Sequence, residues 1–281
     1  MGIKKLGPFL RKLKLDTAQP LLAAYAGLRF AIDTPIFMYK FRASRPEQYL
    51  DQFAKQLALF TQFNITPIYV FDGKPTQMKH SELDCRRQKK QTIQTIANDT
   101  TLPFCERVAA YEKLTALPKR EHYEALRAFL QARGVSVVDS ESDAEKRCAF
   151  MSRTGECDVV VSEDFDALCY GATRLLTRLT LFPEPKTPMR EYRLETILGS
   201  LKFTHGEFLD FCLLCGSDLC SKIPNIGPAR ALTFIRAHRT IEEVVKFINR
   251  AQYPVPQTFE EDVRMARAEF LTEVEASTAR A

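Results

Sequence analysis

Three apolar runs in this 281-residue chain are each followed by aspartate. The runs are residues 28–32, 67–71 and 159–161, and the acids that follow them are Asp33, Asp72, Asp164 and Asp166. Open parallel sheets bind ligands at the carboxyl ends of their strands. A single aspartate after a strand is more often a turn residue. Three in one chain favour a shared functional edge.

Three further carboxylates can reach the same edge. Asp143 and Glu145 lie in the first turn of a predicted helix, and Asp218 follows an apolar helix. Ser142 and Glu145 also have the spacing of a capping box, so helix initiation is an alternative role for Glu145. The complete set is Asp33, Asp72, Asp143, Glu145, Asp164, Asp166 and Asp218.

Carboxylates gathered in this number require cations among them, since their mutual repulsion reaches several kcal/mol. Oxygen ligands without His or Cys favour Mg²⁺, for which Mn²⁺ can substitute, and seven acids can hold two ions. Two ions about 3.5 to 4 Å apart activate water and stabilise the leaving oxygen in phosphodiester hydrolysis. The acids therefore predict a metal-dependent nuclease.

The elements that position these acids follow from the apolar pattern. Three β-branched residues at 159–161 predict a strand buried on both faces, because a half-exposed strand alternates apolar and polar residues. Residues 46–63 have a helical period that makes a crossover between parallel strands. Similar patterns predict helices at 121–132, 143–153 and 208–214, and strands at 135–138 and 175–181. The fold class is α/β, with a mostly parallel central sheet flanked by helices.

Two segments outside this pattern are suited to nucleic acid. Residues 75–120 are long, polar and basic, and they directly follow Asp72. Such a run is usually a solvated surface, but a basic cover over an acidic edge suits a phosphate-bearing polymer. Near residue 227, two helices joined by a glycine-containing turn, with Arg230 close by, form a sequence-independent grip on a DNA backbone.

Composition sets broad limits. The chain has 45% hydrophobic and 27% charged residues, which is typical of a globular protein. Its net charge of +5 permits a polyanionic partner. Eight irregularly spaced cysteines predict a reducing compartment, and Cys212 and Cys215 are interpreted as core residues rather than zinc ligands. We expect an unsecreted intracellular protein without a membrane association, nuclear if eukaryotic, with a viral source also compatible.

The motifs in this chain resemble the flap endonuclease family of structure-specific 5′ nucleases. The matching segments occur in family order from residue 1 to about 255. They are residues 1–4, 31–33 with Tyr39, 69–75, 142–145, 163–166, 216–218, 226–228 and 253–256. The resemblance implies a PIN-like nuclease core at 1–75 and 121–200, a basic helical arch at 76–120, a helix-hairpin-helix region at 201–250 and a C-terminal tail at 251–281.

The resemblance also implies individual roles. The first metal would be held by Asp33, Asp72, Asp143 and Glu145. The second would be held by Asp164, Asp166 and Asp218, with help from Glu145. Lys79 and Arg86 would steer the scissile phosphate and act with Asp164 in catalysis. The implied DNA contacts are Gly2, Tyr39, Lys79, Arg86, Arg87, Gly227 and Arg230.

Several residues depart from the family pattern. Lys222 and Asn225 replace the usual residues of the hairpin turn, which argues against the K⁺ ion that many members bind there. Gln56 replaces an arginine, so one DNA contact is expected to be lost or moved. The chain also lacks the clamp-binding motif of cellular flap nucleases, and we expect a monomer that does not bind the sliding clamp.

The sequence thus predicts a Mg²⁺-dependent 5′ nuclease that acts on branched or nicked DNA in replication, repair or recombination, with 5′ exonuclease activity alongside. An RNA-degrading nuclease on the same scaffold is an alternative. A catalytically silent DNA-binding scaffold is another, although a dead site has no electrostatic reason to keep seven acids together. A phosphatase of the Asp-x-Asp type fits less well, because Pro35 occupies the position of its second acid.

Overall fold

A computed structural model describes residues 2–19, 21–74, 80–179 and 188–272. Its strands are β1 (Thr17–Gln19), β2 (Arg29–Asp33), β3 (Thr66–Phe71), β4 (Ser136–Asp139), β5 (Val159–Val161), β6 (Arg174–Thr177) and β7 (Met189–Arg193). Within these ranges they form one seven-stranded sheet in the order β1-β7-β6-β5-β2-β3-β4. β2 to β6 are parallel, and β7 is antiparallel to both β6 and β1. The α/β class with a mostly parallel sheet is confirmed.

The central strands are buried on both faces, as the run at 159–161 predicts. Alternate residues point into two separate cores, because successive side chains of a strand face opposite ways. Ala31 and Val160 contribute to one core, whereas Phe30 and Val159 contribute to the other. The middle of the sheet, at β2 and β5, is therefore apolar.

Helices cover both faces. They are α1 (Leu6–Lys12), α2 (Thr34–Ser44), α3 (Tyr49–Gln62), α4 (His80–Asn98), α5 (Phe104–Ala116), α6 (Arg120–Gln131), α7 (Ala144–Thr154), α8 (Asp166–Cys169), α9 (Leu194–Leu201), α10 (His205–Cys215), α11 (Pro228–His238), α12 (Ile241–Phe247) and α13 (Phe259–Leu271). α2, α3 and α6 fill one core, and α7 to α13 together with α1 fill the other. Among the described helices, none is both long and apolar enough to cross a membrane.

Two parts of the fold differ from the sequence-based expectation. The strand expected at 175–181 ends at Thr177 and pairs with β7, an antiparallel neighbour that the apolar pattern does not reveal. The segment expected to be a C-terminal tail contains α13, whose residues Phe259, Val263 and Phe270 are buried in the core. The domain boundaries themselves remain predictions.

Candidate metal centre and nucleic-acid interface

Parallel pairing brings the strand-end acids to one edge of the sheet. Ile32 pairs with Val161 of β5, and Asp33 pairs with Val70 of β3. The three strands therefore end at nearly the same level. Asp72 lies one residue after β3, and Asp164 lies three residues after β5.

The closest group of acids consists of Asp72, Asp143 and Glu145. Each offers a carboxylate oxygen, and these oxygens all lie within 4.8 Å of one another. Across the described ranges, this is the one group of three or more His, Cys, Asp or Glu with such spacing. A donor set made entirely of carboxylate oxygens fits a hard cation such as Mg²⁺ or Mn²⁺.

The start of α7 fixes two of these acids. Asp143 occupies the N-cap position without a side-chain cap bond, so the capping box predicted from Ser142 and Glu145 is wrong. Instead, Asp72 Oδ1 accepts the N–H of Ala144 at 2.9 Å. The first N–H group of α7 is thus capped from the loop after β3. The positive end of the helix dipole also offsets part of the repulsion among the carboxylates.

Gly73 allows the loop after Asp72 to approach the loop before Asp143. Its N–H donates to the Ser142 carbonyl at 2.6 Å, and the Lys74 N–H donates to the Glu141 carbonyl at 3.1 Å. A Cβ atom at position 73 would overlap the carbonyl oxygen of Ser140. Glycine is therefore required for this close approach.

The acids after β5 are held in a hydrogen-bonded chain that begins at Asp33. The Ser162 hydroxyl donates to Asp33 Oδ2 at 2.6 Å and accepts the Asp164 N–H at 3.0 Å. Asp164 Oδ1 in turn accepts the Asp166 N–H at 3.0 Å. Ser162 is a site residue that sequence reasoning missed, and the signal for it was a polar residue directly after a fully apolar strand.

Asp33 lies within the electrostatic field of both groups of acids. It is 1% exposed, and this burial raises its pKa well above the usual range. The negative charges of Glu145, Asp72 and Asp164 also raise it, whereas the hydrogen bond from Ser162 lowers it. Asp33 is thus near the other acids, although it is outside the group of three.

Gly2 joins Asp218 to the same site. Its N–H donates to Asp218 Oδ2 at 2.9 Å. Its φ of +70° lies in the left-handed region, and a Cβ atom there would overlap Asp164 Oδ1 and lie 2.7 Å from Asp166 Oδ1. The structure therefore places this residue, predicted as a DNA contact, directly against the acids.

Glu163 is directed to other partners, in agreement with its omission from the predicted ligands. Its Oε1 accepts the Arg178 N–H at 2.9 Å and lies 3.6 Å from Lys40 Nζ. The Glu163 carboxylate is consequently engaged by Arg178 and Lys40.

The predicted substrate contacts at positions 39, 79, 86 and 87 are described only in part. Tyr39 lies on α2 with 43% of its surface exposed. Arg87 is exposed on α4, 3.2 Å from Asp84, and Arg86 belongs to the same helix. Lys79 lies outside the described residues. The basic insertion is seen as two helices, α4 and α5.

In the hairpin between α10 and α11, position 225 adopts the left-handed backbone conformation that favours glycine, although the residue is asparagine. Asn225 adopts φ +64°, a left-handed conformation that Asn tolerates better than most residues. Its side-chain amide donates to the Gln252 carbonyl at 3.1 Å, and the exposed Arg230 donates to the Asn225 carbonyl at 2.5 Å. Gly227 is the N-cap of α11.

Position 56, another departure from the family pattern, belongs to the core. Gln56 is 1% exposed, and its side-chain carbonyl accepts the Tyr69 hydroxyl at 2.6 Å. The glutamine therefore satisfies a buried hydroxyl and presents no cation at the surface.

Known proteins resemble this chain in sequence and in fold. The XPG N-terminal domain matches residues 1–93, and the XPG I-region matches residues 134–218. Flap endonuclease 1-A of Xenopus laevis is 31% identical over 275 residues, covering 89% of this chain and 70% of that protein. The catalytic core of Rad2 in complex with DNA substrate has a TM-score of 0.72 at 19% identity, covering 100% of this chain and 89% of that chain.

A second solved structure is the Holliday junction-resolving enzyme GEN1 in complex with product DNA, Mg²⁺ and Mn²⁺ ions. Its TM-score is 0.66 at 16% identity, and the match covers 98% of this chain and 65% of that chain. The chain has the fold of these two solved structures. The chain belongs to the flap endonuclease family.

Proposed function

We propose that this protein is a Mg²⁺-dependent, structure-specific 5′ nuclease. It hydrolyses phosphodiesters where single-stranded and double-stranded DNA meet, acts as a 5′-flap endonuclease and 5′ exonuclease, and leaves 5′-phosphates. The observation that carries the proposal is the group formed by Asp72, Asp143 and Glu145 at the carboxyl edge of a parallel sheet. Membership of the flap endonuclease family supports the same activity.

The acids divide into two ligand sets in this proposal. Asp33, Asp72, Asp143 and Glu145 hold the first ion, and Asp164, Asp166 and Asp218 hold the second with help from Glu145. When bound there, two Mg²⁺ ions would supply an activated water and charge neutralisation at the leaving oxygen. Ser162 orients Asp33 and Asp164 through its two hydrogen bonds. Gly2 orients Asp218 in the same way.

Basic and aromatic residues hold the substrate over this edge. Lys79 and Arg86 steer the scissile phosphate, Arg87 contacts the DNA, and the exposed Tyr39 stacks on the adjacent base. Gly227 and Arg230 contact the duplex backbone. The turn that carries them is held by the hydrogen bonds of Asn225 with Gln252 and of Arg230 with Asn225. The DNA bound in the Rad2 and GEN1 structures supports a branched or nicked DNA substrate.

The decisive experiment compares matched 5′-flap DNA, nicked duplex, blunt duplex and single-stranded RNA, with Mg²⁺ and with EDTA. We expect the 5′ flap to be cut fastest and EDTA to abolish cleavage. Undiminished cleavage in EDTA would contradict the metal assignment. Preferential cleavage of RNA would replace DNA as the substrate, and DNA binding without any cleavage would favour a silent scaffold.

A further inference from the structure

Lys146, the residue after the metal-site acid Glu145, forms a buried ion pair with Glu269. Lys146 follows Glu145 in the first turn of α7 and is 7% exposed. Its ammonium nitrogen lies 2.9 Å from Glu269 Oε1, and only 15% of the Glu269 side chain is exposed. Glu269 belongs to α13, so the pair ties the helix that presents Asp143 and Glu145 to a helix that is distant in sequence.

Contacts on both sides of Glu269 hold α13 in place. Phe270 packs against Tyr170 with ring centroids 4.7 Å apart. Arg267 donates two hydrogen bonds of 2.6 Å to the carboxylate of Asp210. These contacts do not involve Lys146. The position of the Glu269 carboxylate is therefore set by packing as well as by its own ion pair.

Tyr170 links this ion pair to the metal-site acids. Lys146 Nζ lies 5.8 Å from the centre of its ring. Burial raises the pKa of Tyr170 well above its usual range, and nearby negative charges raise it further. Those charges belong to Glu145, Asp143, Asp166 and Glu269. Glu269 and the acids of the metal site thus lie around one side chain, within the range of direct electrostatic interaction.

The positive charge of Lys146 acts both on the carboxylate of Glu269 and on those of the metal site. Without Glu269 it would be an uncompensated buried charge, which is strongly unfavourable. Its unneutralised charge would then oppose the binding of a cation by Glu145, the residue before it in α7. With Glu269 in place, the charge of Lys146 is neutralised by the 2.9 Å ion pair.

We propose that Glu269 is a positioning residue for the metal centre. It neutralises the Lys146 ammonium, which directly follows Glu145 in α7, so that α13 influences the affinity of the site for divalent cations. The inference rests on the proposed function in taking Asp143 and Glu145 as metal ligands. It predicts effects of opposite sign for the two partners, because loss of Glu269 leaves a cation beside a ligand and loss of Lys146 leaves an anion.

The test is calorimetric titration of the full chain, without DNA, with Mn²⁺ alone and with Mg²⁺ alone. The variants are Glu269→Gln, Lys146→Met and the double variant. We expect the Kd to rise roughly three- to tenfold for Glu269→Gln and to fall by a similar factor for Lys146→Met. The double variant should return to within about twofold of the unmodified protein, because neither charge remains.

Glu261→Gln is the matched control, since it removes an exposed α13 carboxylate that pairs with Arg264. Its Kd should be unchanged. A shift of both single variants in the same direction would show a purely structural role and overturn the proposal. If Glu269→Gln fails to fold, Lys146→Met must still bind more tightly than the double variant. Absence of cation binding by the unmodified protein would instead overturn the proposed function, whereas equal Kd values in all variants would overturn only the role of Glu269.

Discussion

At one half of the acidic edge, the oxygens of Asp72, Asp143 and Glu145 lie within 4.8 Å of one another. At the other half, Asp164 and Asp166 are buried and are fixed through backbone hydrogen bonds, and Asp218 reaches them through Gly2. The carboxylate oxygens of the first half are thus already close enough together to hold one cation. The second half is ordered mainly by the chain segments packed against it.

The difference lies in what each half depends on. The first half depends on the close approach of two loops, with Asp72 capping α7. The second half depends on the placement of the residue at position 2. We therefore expect the first half to bind a cation without substrate, and each half to be disrupted by its own set of substitutions.

Removing a single ligand, from either half, should give the largest loss of cleavage. Asp143→Asn and Asp164→Asn should each lower single-turnover cleavage of 5′-flap DNA by about a thousandfold or more, because each loses several kcal/mol of charge stabilisation. Calorimetric Mn²⁺ titration should separate them, since only Asp143→Asn weakens the tighter site. Glu163→Gln, beside Asp164 in sequence, is the control and should remain within about twofold of normal activity. Equal loss of the tighter site in both variants would contradict the division into halves.

A methyl group at position 2 should disturb the second half alone. Gly2→Ala should lower cleavage by about ten- to a hundredfold, because the added Cβ overlaps Asp164 Oδ1 and displaces a reacting group. Mn²⁺ binding at the first half should persist. Gly134→Ala is the matched control, since Gly134 has a similar φ of +66° but nothing within 4 Å of the added atom. Similar losses for the two variants would point to backbone strain rather than overlap.

A methyl group at position 73 should disturb the first half. Gly73→Ala should lower the free energy of unfolding by about 1–3 kcal/mol, because the overlap with Ser140 separates two loops. It should also weaken Mn²⁺ binding, which calorimetry would measure together with denaturant unfolding. Gly199→Ala, where an added Cβ meets nothing within 4 Å, should keep normal Mn²⁺ affinity. Unchanged affinity in Gly73→Ala would show that the loop contact does not position Asp72.

The last prediction concerns stability rather than cleavage, at Asp33, which interacts electrostatically with acids of both halves. Because burial raises its folded-state pKa, the ion-free protein loses stability as pH rises from the unfolded-state pKa through the folded-state value. Asp33→Asn removes this loss, so its stability relative to the unmodified protein should increase with pH, by up to about 1.4 kcal/mol for each pH unit. Urea unfolding in EDTA at a series of pH values measures the difference. A difference that is constant with pH would contradict the prediction.

The parallel strands and their terminal acids were predictable because their signals are local. The apolar run at 159–161 specifies a buried strand, and parallel pairing then brings Asp33, Asp72 and Asp164 to one edge. The crossover helix at 46–63 was predictable for the same reason, as α3 confirms. Roles taken from the family resemblance remain predictions, although the structure gathers Asp72, Asp143 and Glu145.

Features that depend on contacts distant in sequence were not predictable. The cap of α7 is supplied by Asp72, whose partner Ala144 is 72 residues away, so a local capping rule selected Ser142 instead. Ser162 gains its role only when β2 and β5 pair. The docking of α13 depends on a surface formed by α7, α8 and α10, and no periodicity within residues 251–281 reveals that surface.

The backbone hydrogen bonds of Gly73 and Lys74 also affect how a movement of α4 would reach the metal site. They fasten the backbone just before the chain leaves the nuclease core toward α4. A displacement of α4 when a substrate engages would meet this anchor before it reached Asp72. We therefore expect that α4 can move on substrate binding with little displacement of Asp72.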